Sequence, residues 1–279
     1  MKGLILVFVI SALTAVSCFN KSEAAVPFNN LEGVGGVAFN PLAYLADSDG
    51  EDSHFKITNT DIIGKPRFGG WYVNLDDVKV DWTSLGIADT FLKRLEVSYG
   101  YETIAQSEVS TKHKNNVGTK LLLIPENSKR VNFIPAVSIG SIWKHTSNVG
   151  SAVDASGVDY YLVATKLITQ LPRPALLSAG LLSTKGRVTG VFGYDKERKE
   201  AGFGNIDLLL TDNIVVGFEY KQGVSFPTFK NANYWQIHIG VLVNNNLSLI
   251  AAYVNAGDHK SSSKTGLGDG VVLSAQYSF

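Results

Sequence analysis

The chain has 279 residues, and its 25 Lys and Arg balance 25 Asp and Glu, so the formal net charge is zero. A neutral chain offers no excess of cations to bind phosphates, which argues against a nucleic-acid partner. The 27 Gly, 14 Phe and 11 Tyr, against one Cys and one Met, favour strands and tight turns over helices.

The N-terminus has the organisation of a secretory signal peptide. Lys2 precedes an apolar run from Gly3 to Val16, and small and polar residues follow. Cleavage after Ala24 predicts a signal peptide over residues 1–24 and one mature domain over residues 25–279. In an alternative, Cys18 is a lipidated N-terminus, although the leucine usual in such signals is missing. No later segment supplies the roughly 20 continuous apolar residues of a spanning helix.

Alternation of apolar with small or polar residues predicts about twelve strands in the mature chain. A soluble sandwich would turn the apolar faces inward, whereas a membrane barrel would turn them towards lipid. The predicted strands cover residues 37–46, 69–81, 94–105, 117–124, 131–144, 158–169, 175–183, 202–210, 214–222, 233–243, 247–255 and 270–279. Residues 82–92 are the least regular stretch and are interpreted as a turn.

The linkers between these strands favour the barrel. From residue 105 onwards, long polar linkers such as 105–116 and 184–201 alternate with short ones such as 170–174 and 244–246. Outer-membrane barrels keep short turns in the periplasm and long loops outside. We therefore predict an all-β fold, an antiparallel up-and-down transmembrane barrel in the outer membrane of a Gram-negative bacterium.

The last strand supports this interpretation. It alternates Val271, Leu273 and Tyr277 with polar residues and ends on Phe279. A terminal Phe with an aromatic residue two places before it resembles the signal by which such barrels are recognised for insertion. The expected partners are thus the barrel-assembly machinery, acting through the Phe279 strand, and outer-membrane lipids.

Aromatic side chains are predicted to form two girdles at the lipid interfaces, where amphipathic rings are favoured. The residues assigned to the outer girdle are Tyr101, Trp143, Tyr161, Tyr220, Trp235 and Tyr253, and those assigned to the opposite girdle are Phe133, Tyr277 and Phe279.

The polar faces place charged residues inside the barrel. An isolated charge in a dry interior is costly, so these residues should line water or pair with one another. The first option predicts a narrow channel or passive transporter for small polar solutes with weak ion selectivity. The second predicts a barrel with a closed lumen and a structural or adhesive role. The expected lumen-lining residues are Glu96, Glu102, Lys120, Lys166, Asp207, Glu219 and His238.

A third reading is a lipid hydrolase. The segment from His145 to Gly150 is similar to the His-x-Ser-Asn-Gly stretch of outer-membrane lipid hydrolases. It would make Ser147 the nucleophile, His145 the base and Asp159 the group that orients the base. Val149 interrupts the pattern, and no oxyanion donor is identifiable.

No cofactor or metal site is expected. Cys and His lack the spacing of a zinc site, and the acidic run Asp47, Asp49, Glu51 and Asp52 lacks the full pattern of a calcium loop.

Several segments resemble an uncharacterised family of Gram-negative proteins, domain of unknown function 3034. The segments are Gly157–Lys166, Gly190–Asp195 and Asn244–Val254, with a looser match at Leu31–Gly36. The resemblance implies an exported outer-membrane protein and transfers no catalytic residue.

Overall fold

The computed structural model describes residues 28–46, 62–107, 109–128, 131–257 and 264–279. The predicted signal peptide, with Cys18, and the acidic run at Asp47–Asp52 lie outside these ranges. No helix in the described ranges is both long and apolar enough to cross a membrane.

Twelve antiparallel strands form a closed barrel, which confirms the predicted fold class. Each strand pairs with the next along the chain, and the last pairs with the first, so that Ser278 lies opposite Arg67. Closure leaves no unpaired sheet edge. In chain order the barrel strands are β1 (Arg67–Leu75), β2 (Val80–Phe91), β3 (Leu95–Gln106), β4 (Val109–Ile124), β5 (Ala136–Thr146), β6 (Ser156–Ile168), β7 (Ala175–Gly186), β8 (Tyr194–Leu209), β9 (Ile214–Lys221), β10 (Tyr234–Leu242), β11 (Leu247–Asn255) and β12 (Asp269–Ser278).

The barrel is apolar on the outside. In β2, Leu85 is 69% exposed, whereas its neighbour Ser84 and the inward-facing Ala88 are each 1% exposed. Large outward hydrophobic residues recur in most strands, for example Leu181 in β7 and Ile237 in β10. A continuous surface of this kind suits hydrocarbon and would be unfavourable in water.

The linkers sort by length less cleanly than the sequence suggested. We call the end that holds residue 279 the C-terminal end and the other the far end. The far-end linker predicted over 105–116 is only residues 107–108, because β4 begins at Val109. At the C-terminal end, residues 125–135 form a long linker. The predicted alternation is therefore wrong at these two places.

The N-terminal residues 28–46 lie inside the barrel, and we call them the plug. Two short strands, Phe28–Asn29 and Gly35–Gly36, pair with each other, and every plug residue is buried except the half-buried Phe39. The strand predicted at 37–46 is therefore wrong. This segment is mostly apolar because it is buried within the lumen, and it is not part of the barrel wall.

A compensating error preserved the count of twelve. The single strand predicted at 69–81 is two strands, β1 and β2, joined by a 3-10 turn at Asp76–Val78. The predicted turn at 82–92 is mostly β2, whose inward residues Ser84, Gly86 and Ala88 are small enough to look like turn residues.

Two apolar clusters fill the interior around the plug. One joins Leu31 to Trp82, Tyr234 and Val188, and Val188 belongs to a far-end linker that folds inwards. The other joins Val37 and Leu42 to Phe203 and further residues of the wall. The plug is thus part of the packed core of the barrel.

Candidate functional site: the plugged lumen

Glu32 of the plug lies at the centre of a buried chain of charges. Its carboxylate accepts from Lys114 at 2.8 Å and from Lys144. Lys114 also binds Glu102 at 2.9 Å, and Lys144 binds Asp159 at 2.6 Å. The wall lysines therefore link a plug carboxylate to two wall carboxylates on β3 and β6.

The charge of Glu32 is maintained by these neighbours. Burial opposes its ionisation, but the positive charges of Lys114, Lys144 and Lys221 outweigh burial. They hold the pKa of the Glu32 carboxyl well below its usual value. Glu32 is therefore an ionised anchor of the plug.

A second ion pair binds both main-chain groups of Gly35, its N–H and its carbonyl. Glu96 accepts the Gly35 N–H at 2.9 Å, and Lys120 donates to the Gly35 carbonyl at 3.0 Å. Lys120 and Glu96 also bind each other at 3.1 Å. Lys120 donates further to the Tyr44 carbonyl at 2.7 Å, so it links two parts of the plug.

Glu219 binds the turn of the plug. Its carboxylate accepts the N–H groups of Ala38, Phe39 and Asn40, the shortest at 2.8 Å from Asn40. The Gln236 amide donates to the same carboxylate at 2.9 Å. Three consecutive N–H groups aimed at one carboxylate form a strong, charge-assisted contact.

Both ends of the plug are fixed at the C-terminal end of the barrel. The Arg67 guanidinium donates to the carbonyls of Leu45, at 3.2 Å, and Ala46. Trp71 donates to the Asn29 carbonyl at 2.7 Å, and Gln276 accepts the Asn29 N–H at 3.0 Å. The plug therefore enters and leaves the lumen through this end.

Glycines allow the plug to lie directly on the wall. Gly33 has a φ of +84°, which side chains rarely adopt. A Cβ on Gly86 would be 2.8 Å from the Gly33 Cα, and a Cβ on Gly100 would overlap the Glu32 carbonyl. Gly86 and Gly100 are register partners on β2 and β3, so together they form one flat contact for the plug.

The structure places six of the seven predicted lumen residues inside the barrel. His238 binds Asp207 at 2.8 Å, and the other four contact the plug directly or through Lys114. Those inside are Glu96, Glu102, Lys120, Asp207, Glu219 and His238.

Strand β6 has the opposite phase from the one predicted. Lys166, expected inside, is half-buried on the other face and binds Glu126 of a C-terminal-end linker at 2.9 Å. Tyr161, expected in the outer girdle, is 4% exposed and lies inside. Adjacent Tyr160 and Tyr161 made both phases plausible, and the inward placement of Asp159 beside Lys144 decides between them.

The other eight predicted girdle residues lie on the outside. Trp235 contacts Tyr253 with ring centroids 5.8 Å apart, and Phe279 contacts Tyr277 at 4.9 Å. The outward residues are Tyr101, Trp143, Tyr220, Trp235, Tyr253, Phe133, Tyr277 and Phe279, with Phe133 in a linker rather than in a strand.

The proposed hydrolase triad is not assembled. His145 lies on the outer face and binds Ser156 at 2.8 Å, whereas Ser147 accepts the His113 N–H at 3.0 Å. Asp159 is 1% exposed on the inner face, paired with Lys144. The assignment of these three residues to one catalytic site is therefore wrong.

Several residues of the lumen site were not predicted. Glu32 lies in the plug, which lacks strand periodicity, and Arg67 is the first residue of β1, two residues before the start of the strand predicted at 69–81. Lys114 and Asn116 lie two residues apart on the inner face of β4. This period of two was present in the sequence, within the segment interpreted as a loop. Within the described residues, no group of three His, Cys, Asp or Glu side chains could hold a metal ion.

Comparisons with known proteins agree with this architecture. The KdgM porin matches with a TM-score of 0.52 and 13% identity over 76% of this chain and 99% of its own. The KdgM porin in complex with disordered oligogalacturonate gives 0.50 and 14% over 76% and 99%. A rhombohedral crystal form of the NanC porin gives 0.47 and 10% over 77% and 99%.

At these identities, the likeness to the KdgM porin establishes the fold. No curated protein matches the sequence. A family model described as a protein of unknown function, DUF3034, matches residues 26–276.

Proposed function

Since the chain belongs to the DUF3034 family, whose function is unknown, we propose from its structure that it is a plug-gated channel. The barrel resides in the outer membrane of a Gram-negative bacterium, and the plug holds the lumen closed. When the plug is displaced, small polar solutes pass. The porin class of the KdgM structures is in line with this role.

The observation that carries the proposal is the polarity of the wall beneath the plug. Five acidic and five basic wall side chains are buried there, and several of them bind plug atoms. A wall that was never wetted would gain little from so many ionisable groups, because each costs free energy to desolvate. The acidic side chains are Glu96, Glu102, Asp159, Asp207 and Glu219, and the basic ones are Arg67, Lys114, Lys120, Lys144 and Lys221.

Without the plug, water would solvate these groups and fill the lumen. Equal numbers of both signs give weak selectivity between anions and cations. The interior therefore suits neutral or zwitterionic polar solutes as well as small ions.

The test is a charge reversal on the plug that leaves the wall unchanged. Glu32→Lys would place a cation beside Lys114 and Lys144, and disrupting a buried ion pair in this way costs about 3–5 kcal/mol. We expect the probability of the open state, measured as conductance in planar bilayers, to rise at least about a hundredfold.

The matched control is Glu197→Lys, a charge reversal at a 57% exposed side chain paired with Lys199. It should leave the conductance at the wild-type level. A correctly folded Glu32→Lys barrel, or one lacking residues 28–46, that stays closed across many insertions would refute the channel and favour a permanently closed, structural barrel.

A further inference from the structure

The wall holds the plug chiefly by the plug's main chain. Bonds to its N–H or C=O groups come from side chains on eight of the twelve barrel strands. These wall residues are Arg67, Trp71, Ser84, Glu96, Lys120, Ser138, Thr165, Glu219 and Gln276.

Single plug residues are held through both their main-chain groups. Thr165 accepts the Ala43 N–H at 2.8 Å, and Ser138 donates to the Ala43 carbonyl at 2.6 Å. Glu96 and Lys120 bind Gly35 in the same way. Every non-proline residue of any peptide carries this donor and this acceptor, so such contacts do not depend on the plug's side chains.

Besides the Glu32 ion pairs, the wall restricts the size of the side chain at two plug glycines. A Cβ on Gly35 would be 2.7 Å from a Glu96 oxygen and 2.8 Å from the Lys120 nitrogen. A Cβ on Gly33 would be 2.8 Å from the main chain of Gly100. The wall therefore excludes a side chain at Gly33, and a side chain at Gly35 would displace the Glu96–Lys120 pair. Elsewhere the wall binds the main chain of the plug and the carboxylate of Glu32.

We propose, resting on the plug-gated channel above, that the lumen is a binding site for glycine-containing peptides that fold back on themselves as the plug does. The plug occupies this site as an internal competitor. Glu219 accepts three consecutive N–H groups and Arg67 donates to two consecutive carbonyls, the regular spacing of donors and acceptors along a peptide main chain.

The experiment uses the full-length Glu32→Lys protein in detergent and three fluorescently labelled synthetic peptides. The first has the wild-type sequence of residues 28–46. The second carries Gly33→Val and Gly35→Val. The third keeps Glu32, Gly33, Gly35 and Gly36 in place and shuffles every other residue. Binding is followed by fluorescence anisotropy, and full-length Gly33→Val serves as a second host if Glu32→Lys does not fold.

We expect the first and third peptides to bind with dissociation constants within about tenfold of each other, and the second at least tenfold more weakly. The wild-type protein should bind all three more weakly, since its own plug occupies the site.

Binding of the first peptide without the third would show that the lumen recognises only its own plug, and the proposal would fail. Displacement of the labelled peptide by a neutral hexasaccharide, with no binding of the shuffled peptide, would also overturn it. Conductance is recorded separately. A variant that conducts but binds no peptide refutes this inference alone, and one that binds peptide but never conducts refutes the channel alone.

Discussion

Glu32 shows how a single plug residue depends on wall charges for its ionisation. Its carboxylate is buried, and it stays charged because Lys114 and Lys144 are paired with it. Its depressed pKa means that the folded state binds this proton less readily than the unfolded chain does. The stabilisation by Glu32 is therefore fully present above the unfolded pKa, about 4.3, and is lost as the pH falls towards the folded pKa.

The lowered pKa of Glu32 leads to a pH prediction for Glu32→Gln, which keeps the shape of the side chain. Between pH 8 and 5 we expect plug amides to exchange with deuterium at least about tenfold faster in the variant than in the wild type, because an ion pair is lost. Below about pH 4.3 the ratio should shrink, because the carboxyl of released Glu32 then takes up a proton that the closed state does not bind, which favours release of the wild-type plug. Hydrogen-exchange mass spectrometry at matched pH measures it, and a ratio that grows on acidification would contradict the assigned ionisation.

Gly100 provides a test from the side of the wall. A valine there would overlap the main chain at Glu32, so the plug must shift, at a cost of about 1–3 kcal/mol. We expect Gly100→Val to accelerate exchange of the plug amides while the barrel strands remain protected. Gly150→Val is the control, since a Cβ at Gly150 meets no heavy atom within 4 Å. Equal exchange in the two variants would rule out close contact at Gly100.

At the scale of elements, strands with a clean period of two were predicted well from the sequence. Strand β9 alternates outward Phe218 and Tyr220 with inward Glu219, and β10 alternates outward Ile237 with inward Gln236 and His238. In such strands, lipid and lumen impose opposite demands on successive residues, and the sequence records both.

The prediction was wrong for elements in which lipid and lumen do not impose opposite demands on successive residues. The plug is buried on every side, so residues 37–46 carry no polar face and were interpreted as a strand. In the first half of β4 both faces are polar, with Lys112 and Lys114 on the inner face and His113 and Asn115 on the outer one, so this segment resembles a loop in sequence. In β6 the neighbouring tyrosines 160 and 161 offered an aromatic residue to each face.

The lumen site was predictable only in part, for a related reason. Periodicity assigns a residue to a face, and six of the seven ionisable residues expected in the lumen are buried on the inner face of the wall. Periodicity cannot reveal what fills that interior, because the partners of Glu96 and Glu219 are main-chain groups of a segment more than 60 residues away in sequence. The charges suggested water or mutual pairing, and the structure shows mutual pairs, such as Lys120 with Glu96, that also bind the plug.

At the scale of the whole molecule, the fold places its buried charges inside the barrel, beside two apolar clusters, and large apolar side chains on the outer surface. Both the packed lumen and the lipid-facing surface then depend on the same alternation. This arrangement accounts for the apolar exterior without any further partner, since hydrocarbon covers it.

The lipid-facing surface can be tested at Leu85, which lies midway along β2 and is 69% exposed. Leu85→Arg should destabilise the barrel in phospholipid vesicles by about 2–4 kcal/mol, the cost of an arginine near the bilayer midplane. Val109→Arg is the matched control, because Val109 is 48% exposed at the far-end start of β4, where the cost falls to about 0–1 kcal/mol. Urea unfolding of vesicle-inserted protein measures both. Equal free energies of unfolding for the two variants would mean that the middle of the outer surface does not face hydrocarbon, because only a bilayer makes the penalty depend on depth.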